Sequence, residues 1–346
     1  VTALSDRSDD DAALVGAAVA GDPAAFARAS ERHRRELKVH CYRMLGSFDD
    51  AEDVVQDALL RAWRGRATYG GHATFRAWLY RIATNACLDF LARRRRRPLE
   101  RGAARIDHRW EDRPPSLVDW LQPYPDAELN LVAARDEEPE AVAVRNETVE
   151  LAFIVALQHL PPRQRAAIVL RDVLGWTADE TARLMEVSVP AVKSALQRAR
   201  PAMRRHLPAR RSDWASPVSL SDDEHEILRR FMEATERADM PALAALIHAD
   251  AWQTMPPHDV WFDGRDAMLQ MWAAAMSGPT APGEWRLVAT AANGQPAVAN
   301  YLRPHGSGEY RASNLDVLRV EGGRIAEVTT FSPSIFPAFG LPMTMR

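Results

Sequence analysis

Cysteine is scarce in this chain and long apolar runs are missing. Only Cys41 and Cys87 occur among 346 residues. Each sits inside an apolar helical pattern with no second cysteine close in sequence, which excludes a CxxC metal site and a disulfide framework and points to buried free thiols. No stretch reaches the roughly 18 apolar residues of a membrane span. The first residues, VTALSDRSDDDAAL, lack the basic, then apolar, then small-residue order of a secretory leader. A cytoplasmic protein without a membrane partner, cofactor or metal is expected. Solenoid-type repeats are also missing, and the length suggests two or three domains rather than one core.

What is present is segregated charge. The net charge of −3 conceals four blocks. Residues 1–97 carry 17 basic against 13 acidic side chains, and 98–144 carry 5 against 11. Residues 145–211 carry 12 against 6, and 212–346 carry 10 against 17. Basic blocks attract a polyanion by releasing its counterions, and acidic blocks on the same chain can cover such surfaces or repel DNA from the wrong side.

Helical patterns fill residues 12–97. The stretch 24–46 predicts a helix with Gly46 as its stop. Asp49 and Asp50 can cap the next, which runs to about Arg64 with Val55, Leu59 and Ala62 as its core stripe. Asp53, Gln56, Asp57, Leu60 and Arg61 are left on other faces. A third helix starts near Thr74. Phe75, Leu79, Ile82, Ala86 and Phe90 repeat at helical spacing, while Arg81, Asn85, Asp89 and Arg93 follow another face, so one helix has a packed side and a reading side.

Residues 98–144 hold six prolines and an excess of acids, the composition of a linker. Leu117, Val118, Trp120, Leu121, Tyr124 and Leu129 are poor choices for free solvent, so part of it should dock, with Trp120 and Tyr124 as the candidate side chains. Helices return over 145–211. Gly175 is a C-cap, Thr177 and Glu180 form a capping box, and Ser188 opens a last helix with Pro190 in its first turn. Two short helices with a tight turn between Met185 and Ser188 make a helix-turn-helix, in which Val192, Leu196 and Ala199 form the buried stripe.

Beyond a polar joint the pattern changes class. Residues 222–249 read as helix, and 251–255, 284–292, 297–303, 314–320 and 324–331 read as strands. A helix packed on a curved antiparallel sheet is the expected α+β result.

Three motifs carry chemistry. DDAEDVVQDALLRAW combines acids with apolar residues left off the core stripe, a surface suited to a protein partner. FRAWLYRIATNACLDFLARRRRR offers rings and cations to nucleic acid. GWTADETARLMEVSVPAVKSALQRAR is the helix-turn-helix. In this order and separation they resemble the two domains of sigma-70 family factors of the extracytoplasmic-function group. The resemblance implies that residues 12–97 are sigma region 2, 98–144 the linker and 145–211 sigma region 4. By the same resemblance, Asp53, Gln56, Asp57, Leu60, Arg61 and Trp63 bind the β′ clamp helices of core RNA polymerase, and region 4 meets the β flap.

The loop and third helix resemble the part that opens the −10 promoter element, where an extruded base must be held by pockets and rings. Gly71, His72, Phe75, Tyr80, Asn85, Arg93 and Arg94 are the matching positions, with Arg93–Arg97 gripping phosphates. Phe75 is equally suited to the core. For the −35 element the resemblance implies Ser188, Lys193, Ser194, Gln197, Arg198 and Arg200 on the second helix of the motif, in the major groove. Ala195 departs from the long basic residue of many relatives.

Residues 222–346, through ALIHADAWQTMPP, WFDGRDAMLQMW and LDVLRVEGGRIAEVTTF, resemble a SnoaL-like domain of the NTF2-like superfamily, a cone-shaped α+β fold. ANGQPAVANYL resembles an element of one subgroup of sigma factors that carry it. Trp252, Met255, Trp261, Trp272 and Tyr301 could line a pocket, with His258, Asp259, His305 and Asp316 as possible acid or base groups. The expectation is a multidomain, monomeric initiation factor that catalyses no chemistry itself. It has two all-α sigma domains, a helical bundle and a helix-turn-helix, followed by a SnoaL-like domain that regulates through intramolecular contact. The alternative is a helix-turn-helix regulator fused to a small-molecule-converting enzyme.

Overall fold

A computed structural model describes residues 12–71, 73–94, 118, 120–129, 149–207, 220–258, 260–277 and 281–346. The chain divides into two compact units, one of residues 1–100 with 156–207 and one of residues 101–155 with 208–346. Among the described residues no helix is long and apolar enough to cross a membrane.

In the first unit α1 covers 12–20, and α2 (Pro23–Leu45) starts where Asp22 accepts from the backbone N–H groups of Ala24 and Ala25. It stops at Gly46, whose φ of 72° is left-handed. Only glycine fits there comfortably, because a Cβ would also meet the Gln158 side chain at 2.9 Å. The cap of α3 (Phe48–Gly65) is Ser47, not the expected aspartates. Asp49 and Asp50 fall instead in the first turn, where their charge favours the helix dipole. Helix α4 (Phe75–Arg94) completes a three-helix packing in which Leu37, Cys41, Leu45, Val55, Ala62, Leu79 and Cys87 are fully buried. Burying each of the leucines contributes about 2 kcal/mol. Both cysteines are free thiols, and contact with Cys87 together with burial raises the Cys41 thiol well above its ordinary range.

The boundary between units falls within α5 (Leu151–Gln158). Helix α6 (Pro162–Ile168) then widens into a π turn over Val169–Val173 before Gly175, φ 71°. Thr177 and Glu180 close the reciprocal capping box on α7 (Ala178–Leu184). Ser188 caps α8 (Val189–His206) through the Ala191 N–H, and Val192, Leu196 and Ala199 are buried as expected. Between the helices Glu186 takes φ 53°, making the turn tight.

The second unit is α+β. The helical stretch expected over 222–249 is broken: α9 (Asp222–Glu236) ends, Ala238 takes φ 51°, and Asp239 caps a short α10 (Met240–Leu246). The chain then enters β1 (Ile247–Thr254), so 247–250 are strand. After β2 (Trp261–Asp263) comes α11 (Arg265–Met276). The strands β3 (Gly283–Ala292), β4 (Gln295–Pro304), β5 (Tyr310–Glu321) and β6 (Arg324–Phe331) complete the sheet in the order β2-β1-β6-β5-β4-β3, with β7 (Thr344–Met345) on β5. Among the described residues, only β1 and β6 pair in parallel. One face packs on the helices through Phe231, Leu243, Met268 and Trp272 against Leu287, Val298, Leu318 and Val328. Of the linker, Val118, Leu121 and Tyr124 are buried in this unit and Trp120 is half-buried.

Candidate functional site

Helix α3 buries Ala51, Val54, Val55, Ala58 and Ala62 and turns a different face to solvent. Asp53 and Gln56 are exposed there, Asp57 and Arg61 half-buried. Leu60 is 54 % exposed, an outlier for a large aliphatic residue. Arg61 bridges Asp89 on α4 (2.7 Å) and Asp57 (2.8 Å), and the hydrogen bonds it donates to these carboxylates, Asp89 first, push its pKa up. Trp63 is partly structural: its ring meets Phe26 edge-on at 5.3 Å and carries the Arg66 guanidinium at 4.2 Å.

The candidate −10 residues separate into two groups. Gly71 (φ 70°) is exposed with open space around it. Asn85 is half-buried and Arg93 exposed, while Arg94 pairs with Asp50 at 2.7 Å. Phe75 belongs to the core, among Phe26, Tyr69 and Trp78. Tyr80 is 1 % exposed and is not a free stacking surface. Its hydroxyl donates to Glu36 (3.2 Å), Arg76 lies over its ring, and Trp176 packs on it at 5.4 Å. Burial alone would raise the Glu36 carboxyl, but His33 and Arg76 outweigh it and hold the group low. Trp176 has no assigned role in the sequence motifs; its one signal is an aromatic residue in the loop that opens the helix-turn-helix. His72 and Arg95–Arg97 lie outside the described residues.

On α8, Lys193, Gln197, Arg198 and Arg200 are exposed, Ser194 is half-buried and accepts from Arg198 (2.9 Å), and Ser188 is the N-cap. Arg200 is not free: it makes a two-pronged contact with Asp172 at 2.9 and 2.7 Å, which raises its pKa.

The five expected pocket residues do not share one wall. Side chains alternate across a strand, and β1 pairs Gln253 with Phe262 and Thr254 with Trp261. Gln253 reaches Trp272 on the helix-packed face, its Oε1 accepting from the indole N–H at 2.8 Å. Trp252 and Trp261 therefore stand on the opposite face. So does Tyr301, which packs on Phe336 and donates to the Pro342 carbonyl. Met255 follows the end of β1 and is half-buried. Of the acid-base candidates, His258 and His305 are exposed and Asp259 lies outside the described residues.

Asp316 is different. Buried on the helix-packed face, it accepts from Asn300 (2.8 Å), Asn314 (3.0 Å) and Thr330 (2.6 Å), and Thr330 in turn accepts from Gln253 (2.7 Å). Burial raises its pKa in spite of these three donors.

Comparison with known proteins matches this layout. Residues 30–97 match the family model for sigma-70 region 2, 150–203 that for sigma-70 region 4, and 228–328 that for a SnoaL-like domain. The ECF RNA polymerase sigma factor SigG of Mycobacterium tuberculosis is 40 % identical over 321 residues, 92 % of this chain and 84 % of that protein. The crystal structure of the M. tuberculosis extracytoplasmic function sigma factor SigJ shares the fold (TM-score 0.59, 24 % identity, 90 % of this chain and 97 % of that one). The C-terminal part is also similar to a candidate ketosteroid isomerase of Kribbella flavida (TM-score 0.28, 23 % identity, 32 % of this chain and 79 % of that one). The SnoaL-like match corrects the expectation of a chain that catalyses nothing, because this fold houses isomerases as well as binders.

Proposed function

We propose, from the premise that this chain belongs to the extracytoplasmic-function sigma factors of the sigma-70 family, a division of labour among its surfaces. As a member it binds core RNA polymerase and recognises promoter DNA. In the proposed division the α3 face meets the β′ clamp helices, with Leu60 as the apolar anchor and Asp53, Gln56 and Asp57 as its polar surround. Region 4 meets the β flap and sets Lys193, Gln197 and Arg198 against the −35 element. Gly71, Asn85, Arg93 and Arg94 serve the −10 element, and Tyr80 joins them once Trp176 withdraws. The C-terminal domain regulates access to these surfaces.

The observation that carries the reading is Leu60, a large apolar side chain left in solvent beside acids on the outward face of α3. Run-off transcription with core polymerase tests it. The wild-type chain should start at a defined promoter, and charge reversal at Asp53 and Asp57 should abolish this. Truncation after residue 211 should change the output; identical transcription by the truncated chain would remove the regulatory part.

Asp316 supports a second activity in the same chain. Burial that raises the pKa of this carboxyl makes its ionised form a stronger base toward a substrate carbon beside a carbonyl. Incubation of the full chain with a cyclic ketone in deuterated water should show exchange that Asp316→Asn abolishes. Equal exchange by both proteins would reject this role.

A further inference from the structure

Helix α8 carries its side chains in rows. Val192, Leu196, Ala199 and Met203 are the buried stripe, and the residues one position further on, Lys193, Gln197, Arg200 and Arg204, form an exposed row along its flank. No acidic residue occurs between Val189 and His206. Yet a carboxylate from elsewhere is bonded to that row: Asp172, in the π turn that follows α6, accepts the Arg200 Nε–H at 2.9 Å and an Nη2–H at 2.7 Å. Both residues lie in the first unit. Among the described residues neither side chain makes another hydrogen bond.

An acid on a DNA-facing row is unfavourable by charge alone, because it repels the polyanion that the cations attract. As a stabilising contact it is weak, since the Arg200 and Asp172 side chains are 50 % and 31 % exposed. Its geometry is more specific than its energy. The two bonds grip the guanidinium by its Nε–Nη2 edge and fix its plane, leaving the Nη1–Nη2 edge as a second fork with no partner among the described residues. Place along the helix decides what that fork can meet. At 1.5 Å per residue Arg200 lies about 16 Å beyond Val189, whereas a recognition helix reads base edges with its N-terminal residues in a groove about 12 Å wide. Arg200 has passed the bases and stands at the phosphate wall.

We infer that Arg200 grips a DNA phosphate at the rim of the −35 site and that Asp172 is the positioning residue that aims it. Lys193, Gln197 and Arg198, nearer the N-terminus of α8, are left with the bases. Promoter affinity then depends on an acid, and Arg200 leaves the set of residues that read sequence. This rests on the −35 reading above.

The test uses the full-length chain with core polymerase and promoter duplexes carrying intact or substituted −35 bases, with binding measured across a range of salt. Arg200→Ala should weaken binding by about tenfold on every duplex alike and lower the slope of log affinity against log salt by about one. For Asp172→Asn the sign is the test. Charge alone requires tighter binding, because a negative group next to DNA is gone; loss of aim requires binding about threefold weaker, with a reduced slope although the chain has become more positive. Arg200→Ala with Asp172→Asn should bind no more weakly than Arg200→Ala alone. Binding by Asp172→Asn that equals or exceeds wild type overturns the aiming role, and so does a lowered melting temperature with an unchanged slope, which would make the pair a brace. Altered −35 base preference in Arg200→Ala would return Arg200 to the readers of sequence and overturn the phosphate contact. Should Asp172→Asn fail to fold, Arg200→Lys takes its place. It keeps the charge without a fork, and should bind about threefold more weakly than wild type; equal binding overturns the role of the fork. If the wild-type chain with core polymerase does not distinguish intact from substituted −35 bases, the −35 reading itself fails, and the phosphate clamp with it.

Discussion

The guanidinium of Arg165 on α6 donates to the main-chain carbonyl of Met44 at the end of α2. It also donates to Gln158 Oε1 (2.5 Å) and to the carbonyls of Gln158 (2.9 Å) and Leu160 (3.2 Å), and Gln158 returns a bond to the Arg43 carbonyl. Arg165 is 3 % exposed. Burial lowers its pKa to about 10, which leaves it charged at neutral pH. One cation thus joins region 4 to region 2 within the first unit through carbonyl oxygens.

Arg165→Ala should therefore cost about 3 kcal/mol of unfolding free energy, because several buried acceptors lose a charged donor together. Arg165→Lys should recover less than half, since an ammonium cannot reproduce the planar fork. Urea unfolding measures both, and a loss below about 1 kcal/mol for the alanine variant contradicts the assignment.

Trp176→Ala should uncover Tyr80. A base stacked on an aromatic ring contributes about 1–3 kcal/mol, so affinity for a single-stranded oligonucleotide carrying the −10 sequence should rise about five- to tenfold. Fluorescence anisotropy with the free protein is the measurement; unchanged binding means that Tyr80 does not stack on DNA.

Leu60→Asp should weaken core polymerase binding by about tenfold or more, as expected for the loss of an interface anchor. The melting temperature should stay where it is because the side chain is already in solvent. Competition against a labelled sigma factor reads the first and calorimetry the second. A drop in both would make Leu60 a folding residue.

Asp126 should make tether docking depend on pH. Burial raises its carboxyl from 3.8 to about 7, against the Gly294 N–H, which pulls it down. The docked form therefore holds a proton that the released form gives up near its ordinary pKa, so docking is strongest in acid and weakens as pH climbs toward 7. Proteolysis within residues 127–148 should be faster at pH 8 than at pH 6, and Asp126→Asn should flatten the difference. A rate that falls as pH rises would invert the sign and refute it.

Local patterns were legible where a single helix or turn decides the outcome. The Val55 and Ala62 positions of the expected α3 stripe, though not Leu59, which is half-buried, the Thr177–Glu180 box, the stop at Gly46 and the buried face of α8 follow from spacing and capping chemistry. Where two local solutions compete, the sequence misleads: Ser47 and Asp49 are equally good caps by composition, and the break at Ala238 is hidden by apolar spacing that continues across it. Partners fixed by tertiary pairing were out of reach. The alternation that parts Trp252 from Trp272 depends on the β1 and β2 register, Tyr80 is covered by a tryptophan from region 4, and Asn293 bonds a residue 169 positions earlier.

The burial of Val118, Leu121 and Tyr124 bears on how the C-terminal module should be expressed for study. A recombinant fragment beginning at residue 208 would leave empty the places those side chains fill and would invite aggregation through the bared apolar patch. Cloning the stretch 118–151 ahead of it, as a covalent or co-expressed peptide, should yield the better-behaved sample.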